Sequence, residues 1–283
     1  MKNLRKKVSL YDLAAYLGWS SKGTDFLIGN VAPFTKANEE SLTFSSKPLG
    51  SSFKGCVIAP AISEGSGFEV PAPRLYYARA LKYLIENGYL DSFGDRHDIH
   101  PSVRVGQNAV IEDGVVIGEN TIIGMNAVIR SNVTIGKNCI IGPNSVIGNR
   151  GFGYERDEHG VPIHVPHVGG VIIGDNVDIG ALVTVVSGTM EPTMIGNNTK
   201  FDDHVHFGHN CSVGESSIIT ACAEFSGGVQ VGNKVWIGPN VSIKEKIKIE
   251  DESYVGLASV VLKNVEVKSV IVGNPGRVLR KID

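Results

Sequence analysis

From Ile195 onward an aliphatic or aromatic residue returns at every sixth position: Ile195, Phe201, Phe207, Val213, Ile219, Phe225, Val231, Ile237, Ile243, Ile249, Val255 and Val261. Four residues after each stands a small or β-branched one, Thr199, Val205, Cys211, Ser217, Ala223 and Val229 among them. Neither the 3.6-residue period of a helix nor the two-residue period of a strand produces this. A hexapeptide β-solenoid does, each hexad being a short strand and a corner. The large residue points inward, the small residue four later fits beside it, and the others face out. The same register runs earlier through Val105, Ile111, Ile117, Ile123, Ile129, Ile135, Ile141 and Ile147, then through Ile173, Ile179 and Val185. Two stretches break it. Residues 149–170, with Gly151-Phe152-Gly153-Tyr154, must leave the solenoid as a loop, and loops that long in a compact repeat are usually functional. Residues 187–192 form a smaller insertion.

Residues 1–98 lack the period and read as a separate small α/β domain. Ser9 followed by Asp12 opens an amphipathic helix that Gly18 closes. Short strand-like runs at 25–28, 42–44 and 55–58 follow, then a second helix over 74–87 stopped by Gly88. The solenoid domain spans 99–270 and includes the 149–170 loop; 271–283 is a turn and a short basic tail. A net charge of −2 without a basic block points away from nucleic acid and anionic membrane surfaces. No apolar run approaches the roughly 20 residues of a membrane span. There is no Cys-x-x-Cys, and Cys139 and Cys211 fall on small interior positions, as reduced thiols of a cytoplasmic protein do.

One segment is chemically dense. Phe201-Asp202-Asp203-His204-Val205-His206-Phe207-Gly208-His209-Asn210 carries three histidines and two aspartates. His209 lies two residues past an inward phenylalanine and so faces out near a corner. Spacing alone leaves three readings open. The plainest is a surface histidine making a corner hydrogen bond. A general base needs an orienting partner, for which Asp202, Asp203 and Glu224 are the candidate acids. A zinc hydratase of the carbonic anhydrase type needs three nitrogens and an open position; His204 and His209, five apart, with His167 further back, fit that class.

Taken together these motifs resemble the UDP-3-O-acylglucosamine N-acyltransferases, the N-acylating enzymes of lipid A synthesis, and their relatives acting on nucleotide-linked amino sugars. The resemblance covers nearly the whole chain. Val8-Ser9-Leu10, Asn30-Val31-Ala32-Pro33, Leu42-Thr43-Phe44 and Gly55-Cys56-Val57-Ile58 are similar to that family's nucleotide-recognition domain. Ile99-His100-Pro101-Ser102, Gly151-Phe152-Gly153-Tyr154, Pro166-His167-Val168-Gly169 and the segment from Asp202 to Asn210 follow in the family's order. The resemblance implies a left-handed parallel β-helix with three hexads per coil, a homotrimer, a thioester acyl donor and no metal. It implies His209 as catalytic base and Phe44 as a nucleotide contact; Phe152, Gly153 and Tyr154, a substrate wall or an anchor for the trimer, are candidate substrate-binding residues with His167 and Asn210. With 18 residues per coil, Gly227 falls one coil above His209 beside Gly228, where a backbone N–H can hold an oxyanion.

Departures from the family pattern shape the expected chemistry. The aromatic expected six residues after Phe44 is Gly50, the family's Asp-Arg-Gly reads Val186-Ser187-Gly188, a groove glycine is Glu224 and a groove histidine is Lys246. Charges in a groove meant for a long acyl chain oppose that chain. Gly273-Asn274-Pro275-Gly276 resembles the ending of coenzyme A-dependent sugar acetyltransferases, the family's helical C-terminal extension being absent, which makes Arg277 and Arg280 candidates for a donor phosphate. The expected protein is a cytoplasmic homotrimeric N-acyltransferase. It moves a short or hydroxylated acyl group from acyl-CoA, or from acyl carrier protein, to the amine of a nucleotide-linked amino sugar, with no further cofactor. The lipid A enzyme proper, the zinc hydratase and a non-catalytic scaffold trimer are the alternatives.

Overall fold

The computed structural model describes residues 2–50, 53–90 and 97–282. Contacts divide the chain into two compact units, residues 1–92 with 152–169, and 93–151 with 170–283.

The first unit is built on β1 (Lys2–Ser9), α1 (Leu10–Leu17), β2 (Ser21–Lys22), β3 (Leu27–Val31), β4 (Ser41–Phe44), β5 (Phe53–Ala59), β6 (Gly65–Glu69) and α2 (Pro73–Glu86). The sheet order is β1-β3-β4-β5-β6-β2, parallel through β3 to β6 and antiparallel at both edges. Both helices form where the sequence places them. Ser9 Oγ accepts the N–H groups of Tyr11 and Asp12, and Gly18 is left-handed with φ +67°. In α2, Leu75, Ala78, Leu81 and Leu84 are buried, and Gly88 turns the chain at φ +70°. Strand β1 was not expected, since four of its eight residues are Lys or Arg. An edge strand tolerates them because only one of its sides must pair.

The loop expected over 149–170 is shorter at both ends: Asn149 still pairs with Val186, and Gly170 with Gly188. Tyr154–Arg156 and Pro162–His164 form an antiparallel hairpin, and contacts group 152–169 with the N-terminal unit. The reason is α2: Arg79 meets both carboxylate oxygens of Glu158 at 2.7 and 2.9 Å, and Arg74 pairs with Glu155.

The second unit is a left-handed parallel β-helix of three sheets with eight, ten and eight strands. Its strands are mostly two residues long, and successive coils pair 18 residues apart, as at Val116↔Thr134, Ile122↔Ile140 and His206↔Glu224. Where residues 152–169 intervene in the chain the interval stretches, with Ile140 opposite Asp178; across residues 187–192 it is 22, with Thr184 opposite His206. Inward residues form one continuous core, and each fully buried aliphatic contributes about 1.5–3 kcal/mol. Hydroxyls at the small inward positions are satisfied by the adjacent coil: Thr121, Thr199 and Ser217 donate to Gly136, Gly214 and Gly232 carbonyls at 2.8–3.0 Å. The third residue after the inward one adopts the left-handed conformation at corner after corner, Asn108, Asn120, Asn126 and Asn138 among them. Asn is commonest there because its short polar side chain tolerates positive φ.

The basic tail is a strand, though its side chains are exposed. Arg277–Lys281 forms an antiparallel strand on Ser269–Val272, pairing backbone groups the last coil would otherwise leave open.

Candidate active site

The site is set by the strand His206–Phe207. Phe207 is fully buried, packed edge-on against Phe201 and Phe225 with centroids 5.3 and 5.1 Å apart. That anchors His206 on the outer face and sends the chain into the corner 208–211. A side chain at Gly208 would meet the Phe225 carbonyl at 2.5 Å, so glycine is required for the coils to approach. His209 follows, half-buried, with its imidazole lying over Gly227 of the next coil. A Cβ on Gly227 would stand 2.5 Å from both Cε1 and Nε2 of the ring.

The ring is oriented from the other side. Nδ1 is 3.0 Å from Asn210 Oδ1, and the same oxygen receives Thr189 Oγ1 at 2.5 Å and Thr189 N–H at 3.3 Å. Asn210 is thus the histidine's own partner. Thr189 escaped sequence reasoning. It sits in the 187–192 insertion, at the same corner one coil below His209, and only the 22-residue register shows this.

Backbone N–H groups two residues past the inward position point along the solenoid axis. At Lys137, Ala181, Glu215 and Asn233 they are taken by side chains of Asp175, Asp203, Asn233 and Asp251 in the next coil, at 2.7–2.9 Å. Gly227 N–H is the equivalent donor beside His209, and it has no acceptor among the described residues. Gly228, expected to share that role, cannot: its N–H donates to the His209 carbonyl at 2.8 Å, and its φ is +75°. One coil further, Glu245 falls over Gly227 and Lys246 over Gly228, the Lys246 stem 3.5 Å from where a Gly228 Cβ would be. Both are exposed. The column ends at Lys263, in a shallow depression shared by Leu262, Asn264, Gly276 and Arg277.

The candidate acids have other work. Asp202 accepts the Asp203 N–H, and Asp203 accepts that of Ala181. Glu224 stands opposite His206 on the flat outer face and not at the corner, so it is not the groove charge; Lys246 is. Burial pushes the Cys211 thiol up to about 12, and its Sγ donates to the Ser226 carbonyl, which makes it a core residue despite its nearness to His209. His204 occupies the preceding corner at φ +61°, separated from His209 by the strand between them. Among the described residues no three His, Cys, Asp or Glu side chains converge as metal ligands.

The remaining predicted residues lie elsewhere in the fold. Phe44, half-buried on β4, packs against Tyr77 with centroids 5.0 Å apart. Phe152 is 88 % exposed and begins a run of rings through Tyr154, His164 and His167, each 5.0–5.7 Å from the next. The His167 ring covers Gly153, whose Cβ would meet Cε1 at 2.9 Å, and its Nδ1 bonds the Val165 carbonyl. Arg277 and Arg280 are exposed on the terminal strand, each guanidinium on a neighbouring carbonyl. No helix among the described residues is long and apolar enough to cross a membrane.

Known proteins share this architecture. Residues 114–149 match the family described as bacterial transferase hexapeptide (six repeats). A UDP-3-O-acylglucosamine N-acyltransferase of Delftia acidovorans is 33% identical over 269 residues, 87% of this chain and 79% of that protein. One from Coxiella burnetii is 35% identical over 254 residues, 77% of this chain and 74% of that protein. Among solved structures, the UDP-N-acetylglucosamine acyltransferase from Campylobacter jejuni superposes with a TM-score of 0.54 at 25% identity, covering 65% of this chain and 75% of that one.

Proposed function

Because the chain belongs to the UDP-3-O-acylglucosamine N-acyltransferase family, we propose that it transfers an acyl group from a thioester to the amine of a nucleotide-linked amino sugar, with His209 as general base. The observation that carries this reading is the imidazole seated over Gly227, its Nδ1 held by Asn210 and an unused N–H beside it. The amine attacks the thioester carbonyl while His209 Nε2 takes its proton. Gly227 N–H stabilises the oxyanion of the tetrahedral intermediate, and the departing thiolate receives the proton back from the imidazolium.

A coenzyme A thioester carrying a short or hydroxylated acyl group suits the column beyond His209 best. Glu245 and Lys246 oppose an apolar chain, and the column ends beside Arg277, where a donor phosphate can pair. Acyl carrier protein is the second donor. The relatives' name favours one alternative, acylation of UDP-3-O-acylglucosamine itself. Phe44, Tyr154 and His167 are assigned to the acceptor on the family resemblance. A homotrimer fits the outward apolar residues Ile140, Ile172, Met194, Ile218 and Trp236, and a cytoplasmic setting fits four unpaired thiols.

Thiol release tests this directly. UDP- and dTDP-amino sugars are paired with acetyl-, 3-hydroxybutyryl- and long-chain acyl-CoA, then with acyl carrier protein donors, with His209→Ala as control. Release that requires an amino sugar and is lost in the variant is the expected result; equal release with His209→Ala overturns the assignment of the base. A preference for long chains would favour the lipid A enzyme proper.

A further inference from the structure

We propose that Thr189 is a positioning residue, fixing the Asn210 amide with its oxygen toward His209 and so holding the imidazole proton on Nδ1 and the lone pair on Nε2. The claim rests on the reading of His209 as base, and it adds a residue outside the segment that the family resemblance marks.

A backbone group decides which way the amide faces. An N–H can only donate, and Thr189 N–H points at the Asn210 amide from 3.3 Å. The atom facing it must therefore be the carbonyl oxygen. Turned over, the amide would set its NH2 against that N–H. The same oxygen lies 3.0 Å from His209 Nδ1, and an oxygen acceptor requires a donor there. Nδ1 then carries the proton, and Nε2, one of the two ring atoms closest to Gly227, keeps the lone pair. Thr189 Oγ1 adds a second, shorter bond at 2.5 Å.

Thr189 can do this because its own place is tied down. Ser187 N–H donates to the Asn149 carbonyl at 2.8 Å, and Ser187 Oγ to the Gly148 carbonyl at 2.9 Å. Gly188 N–H donates to the Gly170 carbonyl at 3.0 Å. Asn210 is held from behind, its N–H donating to the buried Thr193 Oγ1 at 3.0 Å. The four residues that the insertion adds to a plain coil thus place a donor pair beneath the catalytic corner. Without the hydroxyl, the long bond from Thr189 N–H is all that holds the amide apart from the imidazole it orients. Rotation then offers NH2 to Nδ1, draws the proton to Nε2 and removes the base.

Two measurements test the proposal. Nitrogen-15 NMR of the neutral imidazole reports the tautomer without any substrate. The full-length protein should show His209 as Nδ1–H, and T189V should show a growing Nε2–H population while T189S keeps the original form. Kinetics supply the second. T189V should lower kcat about tenfold or more with little change in KM, since a general base contributes about 10²–10⁴. The effect should shrink to within about twofold in an N210D background, because both carboxylate oxygens accept and there is no orientation left to fix. Equal losses in the two backgrounds would mark Thr189 as merely structural and overturn the proposal. So would an unchanged Nδ1–H signal in T189V, a readout that decides even where N210D is inactive. Activity surviving in His209→Ala would instead sink the base assignment, and the tautomer result would still stand or fall by itself.

Discussion

Gly227→Ala is the sharpest perturbation of this site. The added Cβ would sit 2.5 Å from His209 Cε1 and Nε2 and 3.1 Å from Nδ1. Carbon contacts are comfortable at about 3.5–4.0 Å, so the ring must retreat by about 1 Å. A displacement of that size at a reacting group costs about 10²-fold in rate. Gly227 has no left-handed φ, so the backbone accepts alanine, and reduced freedom of the unfolded chain returns about 0.4–1 kcal/mol. The expected outcome is a kcat near one-hundredth of the parent in the thiol-release assay, with a Tm close to unchanged. Gly228→Ala is the reciprocal control. Its φ of +75° makes alanine cost about 1–2 kcal/mol of stability, but its nearest neighbour is only the flexible Lys246 stem at 3.5 Å. The two variants should separate, one losing rate and the other stability. Parental kcat in Gly227→Ala would show that the imidazole over this glycine takes no part in the chemistry.

Three further outcomes are expected. Phe207→Ala removes a fully buried ring between Phe201 and Phe225 and should destabilise the solenoid by about 3–5 kcal/mol, read from urea unfolding. The Arg79 guanidinium holds the Glu158 carboxyl down at about 2, from its ordinary 4.5; being depressed, it supports the hairpin fully above the ordinary value and loses that support as pH falls from there through about 2. Arg79→Met should raise the NMR titration of Glu158 toward its ordinary range, and hairpin amides should lose protection without needing acid. Of the thiols, exposed Cys222 should react with a disulfide reagent in the folded protein, whereas buried Cys56, Cys139 and Cys211 should require denaturant; rapid native labelling of Cys211 would contradict its burial and its raised titration.

Much of the fold was legible because repetition makes local signals additive. A single Ile-Gly hexad means little, but coil upon coil leaves one solution, and the two interruptions at 149–170 and 187–192 announce themselves as missed beats. In the N-terminal unit α1 carries its Ser9 cap and α2 its glycine stop. Strand β1 was hidden because an edge strand needs no apolar alternation, and the terminal strand because its pairing depends on an open edge that only the finished solenoid presents. At the site, the stacking of Gly227 on His209 could be counted from an 18-residue coil. The roles of the neighbours could not. Asp202, Asp203 and Glu224 offered charges at plausible spacing, and the structure uses the two aspartates to cap backbone N–H groups and leaves Glu224 on a flat face.

By itself, the sequence determined which residues point inward, where the coils stack and which histidine faces a glycine, since each follows from a period counted along one dimension. Tertiary structure alone decided which donor meets which acceptor. Thr189 reaches Asn210 across 21 residues, and Gly228 is withdrawn from the oxyanion role by the His209 carbonyl. Those choices depend on tenths of an ångström and on the direction of an N–H, and no residue pattern encodes either until the chain has closed upon itself.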